Sequence, residues 1–560
     1  MLRHSFRGLA LLALVPCLAV AQNPLKHAPK PTATPISAAD LMTRLYIFAD
    51  DSMEGREVGT AGHMRGADYV AAELKRLGLT PAGDSGKFTQ DFPLEVLAPD
   101  PATAVTVGDA ALQAGTDFVI FPAIGLPGVG KSFAAAGVPV IYGGKIGDAT
   151  LVAPEATIGK LVLFAPADGP GGWQFWSRFG PPQYQKYSGA AGIMVAALDV
   201  APGELVGFLG STQVSVAGED AAPEPTIALM YLTTAASEKI FGGPLTGVMA
   251  GTEGASMTAM GGPVKRPSPI PGRNLVAIIP GTDPVLKNQY VAVGAHNDHD
   301  GIRRPIEHDS LRAFNTVVRP GGAEDGDKKV TPEQLPVVQA RLDSLRALRP
   351  ARLDSIMNGA DDDGSGSMAL LELAEYLKAH PARRSLILVW HAAEEKGLFG
   401  SAWFTDHPTV PRDSIVTQIN LDMIGRGTAQ DIVNGGPGYL QLIGSRRLST
   451  QLGDLVEQVN TTGSHGFTFD YQYDADKHPQ QYYCRSDHYM YARYGIPVVF
   501  FSTGGHADYH QITDEPQYID YPKLARVTSL VADVTTTVAN LDVGPVIDKP
   551  KPDPKGQCSQ

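Results

Sequence analysis

Cysteine is nearly missing from this chain. Three occur among 560 residues, at positions 17, 484 and 558, so disulfides cannot be the main source of stability. Long uncharged apolar runs are lacking too, apart from residues 9–20, which excludes a bundle of membrane-spanning helices. Positive charge is in deficit: 46 Lys and Arg stand against 59 Asp and Glu, a formal net charge of −13. With no basic stripe either, neither nucleic acid nor an anionic membrane is expected as a partner. Histidine is absent between Pro99 and Gly262, so any imidazole chemistry must lie outside that stretch.

What is present is ordinary for a globular chain rich in turns, with 61 Gly and 44 Pro. The length predicts at least two domains. Arg3 and Arg7, the apolar run 9–20 and Ala19-Val20-Ala21 before Gln22 form the three parts of a secretory signal, residues 1–21. Export to the periplasm or the medium follows. Pro16 makes Cys17 a poor site for lipid attachment, and one bridge between Cys484 and Cys558 is permitted in an oxidising compartment.

Residues 22–36 and 545–560 lack apolar periodicity and read as a flexible linker and a flexible tail. Ser37 and Asp40 resemble a capping box for a helix holding Leu41, Leu45 and Tyr46, and residues 61–77 read as a second helix ended by Gly78. These helices open a first block, 37–98. From 99 to 262 short apolar runs (138–142, 160–164, 190–197 and 226–230) alternate with turns, the texture of a strand-rich domain.

A second block, 271–544, predicts strands over 274–279, 289–294, 385–390, 415–423 and 496–501, with a helix over 368–377. This alternation predicts an α/β fold, a mostly parallel mixed sheet flanked by helices. A charged insertion, 301–357, interrupts it, with a helix expected to open at Thr331-Pro332-Glu333. A lid or rim and a solvated segment without a role are equally good readings of it.

Candidate ligands stand at the ends of these elements. His296-Asn297-Asp298 follows a strand, at the edge where open α/β sheets bind ligands, though it also reads as a polar turn. Asp361-Asp362-Asp363 precedes a helix; three adjacent carboxylates gather either in solvent or around a cation. Glu394-Glu395 ends the apolar strand 385–390, so one acid can bind metal while the other accepts a proton. Asp422 sits inside an apolar run and needs a partner, either metal or a cation such as Arg426. His510 follows the last strand, with His506 as its rival, and spacing leaves His299, His391 and His488 open.

Taken in order, Gly294-Ala295-His296-Asn297-Asp298, residues 359–366 (GADDDGSG), Ala392-Ala393-Glu394-Glu395-Lys396-Gly397, Asn420-Leu421-Asp422-Met423 and Tyr509-His510 resemble a dizinc peptidase family. That family includes secreted bacterial leucyl aminopeptidases, glutamate carboxypeptidases and the catalytically silent transferrin receptors. The resemblance covers 37–97 and 271–540, and the region between is similar to an inserted protease-associated domain. It implies two Zn2+, one held by His296, Asp362 and Asp422, the other by Asp362, Glu395 and His510. Asp298 would orient His296, Glu394 would be the general base toward a metal-bridged water, and Tyr509 would hydrogen-bond the tetrahedral intermediate. The implied activity is aminopeptidase action on a peptide substrate. A carboxypeptidase or dipeptidase with the same site, a single-zinc glutaminyl cyclase and a receptor-like binding protein are the alternatives. Such carboxylate-rich sites also accept manganese or cobalt. Oligomeric state and the preferred side chain stay open.

Overall fold

A computed structural model describes residues 23–122, 128–169, 172, 174, 179–201, 206–207, 209, 212–218, 225–326, 328–432, 434–556 and 558–560. The expected signal lies outside the described residues. The second block is built on a nine-stranded sheet whose four central strands, Ser385–His391, Tyr290–His296, Ile415–Leu421 and Val498–Ser502, run parallel in that spatial order. Antiparallel strands flank them: Gly272–Ile279 beside the first and Tyr439–Ile443 beside the last. The fold is thus mixed α/β. The central strands are largely apolar because both faces are covered, although Ile415–Leu421 also buries Thr417, Gln418 and Asn420.

One face packs against the helices Ala38–Phe48, Ala61–Leu77, Gly366–Ala379 and Tyr521–Asn540 through a core that includes Leu41, Leu45, Val70, Leu371, Val527 and Val531. Ser37 caps the first helix by accepting the Asp40 amide at 3.1 Å, and Gly78 ends the second in the left-handed region, as the sequence predicts. The opposite face buries Phe404, Tyr491 and Phe500. Because all four parallel strands point the same way, their carboxyl ends His391, His296, Leu421 and Ser502 open on one edge.

Residues 104–261 contribute a separate eight-stranded sheet with its own buried clusters on two faces, around Phe164 and Tyr231 on one and Phe133 and Met230 on the other. A three-stranded sheet, Leu94–Pro99, Gln213–Val216 and Pro263–Pro267, lies where the chain leaves and re-enters it.

The end segments depart from expectation. Residues 23–36 lack regular structure yet are fastened: Asn23 Nδ2 donates to the carbonyls of Gln517 and Ile519 at 3.2 and 2.7 Å. The expected free tail 545–560 is tied by a disulfide between Cys558 and Cys484. Polar side chains and one covalent bond do there what apolar periodicity does elsewhere, and periodicity alone misses it.

The insertion 301–357 also differs from its reading. Its predicted helix runs Leu335–Arg346, starting after 331–333, because Pro336 occupies the first turn where a missing N–H costs nothing. None of its residues is buried. A second helix, His308–Val318, was not anticipated, and it docks on residues 508–518: Arg312 pairs with Asp508 and stacks 3.4 Å over the Tyr518 ring, and His308 Nε2 lies 2.9 Å from Glu515.

Candidate metal centre

All five predicted ligand side chains converge at the carboxyl edge of the parallel strands. His296 is the last residue of its strand; its Nε2 lies 3.1 Å from Asp362 Oδ1 and 3.7 Å from Asp422 Oδ1. His510 Nε2 lies 3.0 Å from Asp362 Oδ2 and 3.2 Å from Glu395 Oε2. Asp362 therefore faces both imidazoles, one oxygen to each.

The three adjacent aspartates divide their work. Asp363 turns inward, its Oδ2 accepting the His296 amide at 3.0 Å and its Oδ1 the Gly366 and Met423 amides at 2.8 and 3.3 Å, so it ties a strand end to a helix start. Asp361 accepts the Gly425 amide at 2.6 Å and lies 3.2 Å from His506 Nε2. Only Asp362 is left facing the site. Asp514 holds the turn by accepting the amides of Asp361 and Asp362 at 2.9 and 3.1 Å. Buried Arg56 clamps it from the first block, donating to the carbonyls of Asn358 and Gly359 at 2.6 and 3.0 Å. Gly359 has φ 52°, and a Cβ there would stand 2.2 Å from the Asp362 carbonyl oxygen, so glycine is required.

Asp422 follows its strand directly. Its Oδ2 accepts from Ser486 Oγ at 2.7 Å, and Arg426, the cation that could have neutralised it, pairs instead with Asp431 and Asp508. Glu394 and Glu395 both line the cleft but meet different partners: Glu395 pairs with His510, while a Glu394 carboxylate oxygen lies within 4.8 Å of donor atoms of His296 and Asp422. Asp298 Oδ1 accepts the Glu394 amide at 3.1 Å and lies 3.7 Å from His296 Nδ1. Tyr509 lines the same cleft, its hydroxyl accepting from Arg485 at 3.1 Å.

The rival histidines separate. His506 is taken by Asp361, His391 lies 2.9 Å from the Tyr491 hydroxyl, and His488 stacks on Phe500. His299 does touch the site, its Nδ1 2.6 Å from Glu395 Oε1. Asp300 was missed; its Oδ2 lies 3.3 Å from His510 Nδ1, and it also meets Lys396. Its only signal was its place three residues after Asn297 in a polar turn.

Burial would raise Asp362, but His296 and His510 hold its carboxyl well below the usual range. Burial, with the nearby charges of Asp422 and Glu395, pushes Glu394 well above it. Burial lowers the basicity of His510, yet Glu395, Tyr509 and Asp300 outweigh it and raise its pKa well above the ordinary value. Five carboxylates, Asp300, Asp362, Glu394, Glu395 and Asp422, thus crowd three imidazoles along a partly buried cleft, an excess of negative charge that calls for cations. The donor atoms of His296, Asp362 and Glu395, and of Asp300, Glu395 and His510, lie within 4.8 Å of one another. Imidazole nitrogen with carboxylate oxygen is a zinc donor set. A further group, His308, Asp354 and Glu515, is already neutralised by Arg352, which pairs with both acids.

Residues 274–535 match the model of Peptidase family M28, a stretch that contains every candidate site residue. Likeness to curated relatives is local. Leucine aminopeptidase 1 of Coccidioides posadasii (strain C735) is 31% identical over 175 residues, 29% of this chain and 41% of that protein. A probable leucine aminopeptidase of Trichophyton verrucosum (strain HKI 0517) is 28% identical over 134 residues, 23% of this chain and 34% of that protein. The chain thus spans well under half the length of these relatives. The aminopeptidase from Aneurinibacillus sp. strain AM-1 shares the fold over 92% of this chain and 97% of its own, with a TM-score of 0.51 at 14% identity.

Proposed function

We propose that this protein is an exported, zinc-dependent aminopeptidase of the M28 type that releases N-terminal residues from peptides. The observation that carries the reading is the Asp362 carboxylate, set with one oxygen toward His296 and the other toward His510 in a cleft that Glu394 and Tyr509 also line. His296, Asp362 and Asp422 would hold one zinc, and Asp362, Glu395 and His510 a second. Zinc bound there would supply Lewis acidity toward the scissile carbonyl and make water more acidic.

The remaining work falls to this chain's own groups. Asp298 fixes the Glu394 backbone and faces His296 Nδ1, so one residue orients both a ligand and the proposed base. Glu394, kept basic by burial among other acids, accepts a proton from the attacking water and delivers it to the departing amine. Burial raises the Tyr509 phenol above its ordinary pKa, so it stays protonated and can donate to the oxyanion. Export rests on the leader 1–21 and fits the disulfide. On this reading the strand-rich stretch 99–262 is a protease-associated domain, and none of its described residues lines the cleft.

Zinc-loaded protein beginning at Gln22, incubated with matched peptides bearing free or acetylated N-termini, is expected to remove single residues from the free peptide only. Chelation should abolish it. Trimming from the carboxyl end, or of both peptides, detected by mass spectrometry, would reassign the activity.

A further inference from the structure

Beyond its candidate ligands and the base, the cleft is lined by Met423, Phe500, Tyr482, Tyr509, Arg485 and Glu324, among others. Arg485 is the one Arg or Lys among the lining residues, and Glu324 is the one acid outside the ligand and base positions. Arg485 is placed to meet a substrate: its neighbour Ser486 donates to Asp422, and its own Nη2 donates to Tyr509, next to His510. A partly exposed arginine there would seize a carboxylate, because its planar fork matches one.

Its charge is already engaged. Glu324 belongs to the insertion 301–357, and its Oε1 lies 2.6 Å from Arg485 Nη1 while its Oε2 accepts from Gln480 Nε2 at 2.6 Å. The insertion is fixed in place here, the Ala323 amide donating to the Tyr509 carbonyl at 3.1 Å. The Glu324 side chain is 17% exposed against 38% for Arg485, so the pair sits half within the wall.

We propose that Glu324 is a specificity-determining residue that masks Arg485, so that the cleft rejects substrates with an N-terminal Asp or Glu and admits uncharged ones. The inference rests on the aminopeptidase reading. An acidic side chain approaching Arg485 must displace Glu324 or share its cation, and either costs the binding that an unmasked guanidinium would give. The insertion thereby does more than rim the site, since it carries the group that sets the charge of the pocket.

The test compares wild type, Glu324→Gln, Arg485→Met and the double variant, all zinc-loaded, on p-nitroanilides of leucine, glutamate and lysine. Glu324→Gln is expected to raise kcat/KM for glutamate relative to leucine by about tenfold or more. Arg485→Met, which leaves Glu324 without its cation, is expected to shift the ratio toward lysine by a similar factor. The double variant should show neither gain. Unchanged ratios in the single variants, with zinc content and melting temperature intact, overturn the proposal, as does a glutamate gain that the double variant retains. Calorimetry with free glutamate and leucine reads the same masking without turnover: Glu324→Gln must gain affinity for glutamate over leucine, and no gain overturns the proposal. Should wild type release no N-terminal residue, the aminopeptidase reading fails while this binding measurement still decides the masking.

Discussion

Oδ2 of Asp362 stands 3.0 Å from Nε2 of His510, joining a turn before a helix to a loop after the last parallel strand. The other oxygen faces His296, so this carboxylate serves two donor sets. If two zincs bind as proposed, replacing it should cost both. Elemental analysis after desalting is expected to find Asp362→Ala without either zinc and Glu395→Ala with one retained. Equal loss from the two variants would remove Asp362 from the bridging position.

Glu394 lines the cleft without meeting His510, and its backbone rather than its carboxylate is held by Asp298. Glu394→Gln should therefore keep its zinc and lose turnover by on the order of 100-fold or more. Parallel zinc analysis and kcat measurement check this, and normal turnover would end the assignment.

His63 is fully buried on the helix Ala61–Leu77, and neither ring nitrogen has a partner among the described residues. Burial lowers its pKa from 6.5 to about 3, with Arg273 and Arg56 acting in the same direction and Asp91 against. The unfolded imidazole takes up a proton below about pH 6.5 and the folded one does not. Its stabilising contribution is whole above that pH and fades as pH falls toward 3, at about 1.4 kcal/mol per pH unit. Urea unfolding of the zinc-free protein from pH 7 to 4 should show this loss, and His63→Leu should flatten it by about one proton's slope.

Cys484 and Cys558 close a loop with a sequence separation of 74, and Cys484 directly precedes the cleft residue Arg485. Cys558→Ser is expected to lower stability by about 2–4 kcal/mol, through the freedom it returns to the unfolded chain. Thermal melts should drop by several degrees, and added reductant should bring wild type to the same point while leaving the variant unmoved. Identical melts of wild type and variant would show that the bridge contributes nothing.

Much of the catalytic block was legible because its elements are unmixed. Strands such as Ser385–His391 hold an unbroken apolar run over 386–390, and Ser37 and Gly78 mark helix boundaries by local hydrogen bonding alone. The motifs that hold His296, Asp362, Glu395, Asp422 and His510 stood out because polar groups at the ends of buried strands or beside a helix start demand a partner, while the choice of residue within each motif came from the family resemblance. The helix His308–Val318 was passed over inside a charged segment, although Leu311, Phe314 and Val318 stand at helical spacing, and its docking through ion pairs to Asp508 and Glu515 is a contact between distant residues.

The sequence by itself therefore determined the parallel sheet, the kinds of donor at its edge and the acidic surplus that calls for a cation, because periodicity, capping and residue chemistry are local. Tertiary structure alone decided which of three adjacent aspartates faces the site, that His506 turns away while His299 and Asp300 turn in, and that Arg56 from the first block clamps the Asp362 turn. It also set Glu324 of the insertion against Arg485. Those outcomes depend on side-chain direction and on contacts between residues far apart in the chain, which no local pattern records.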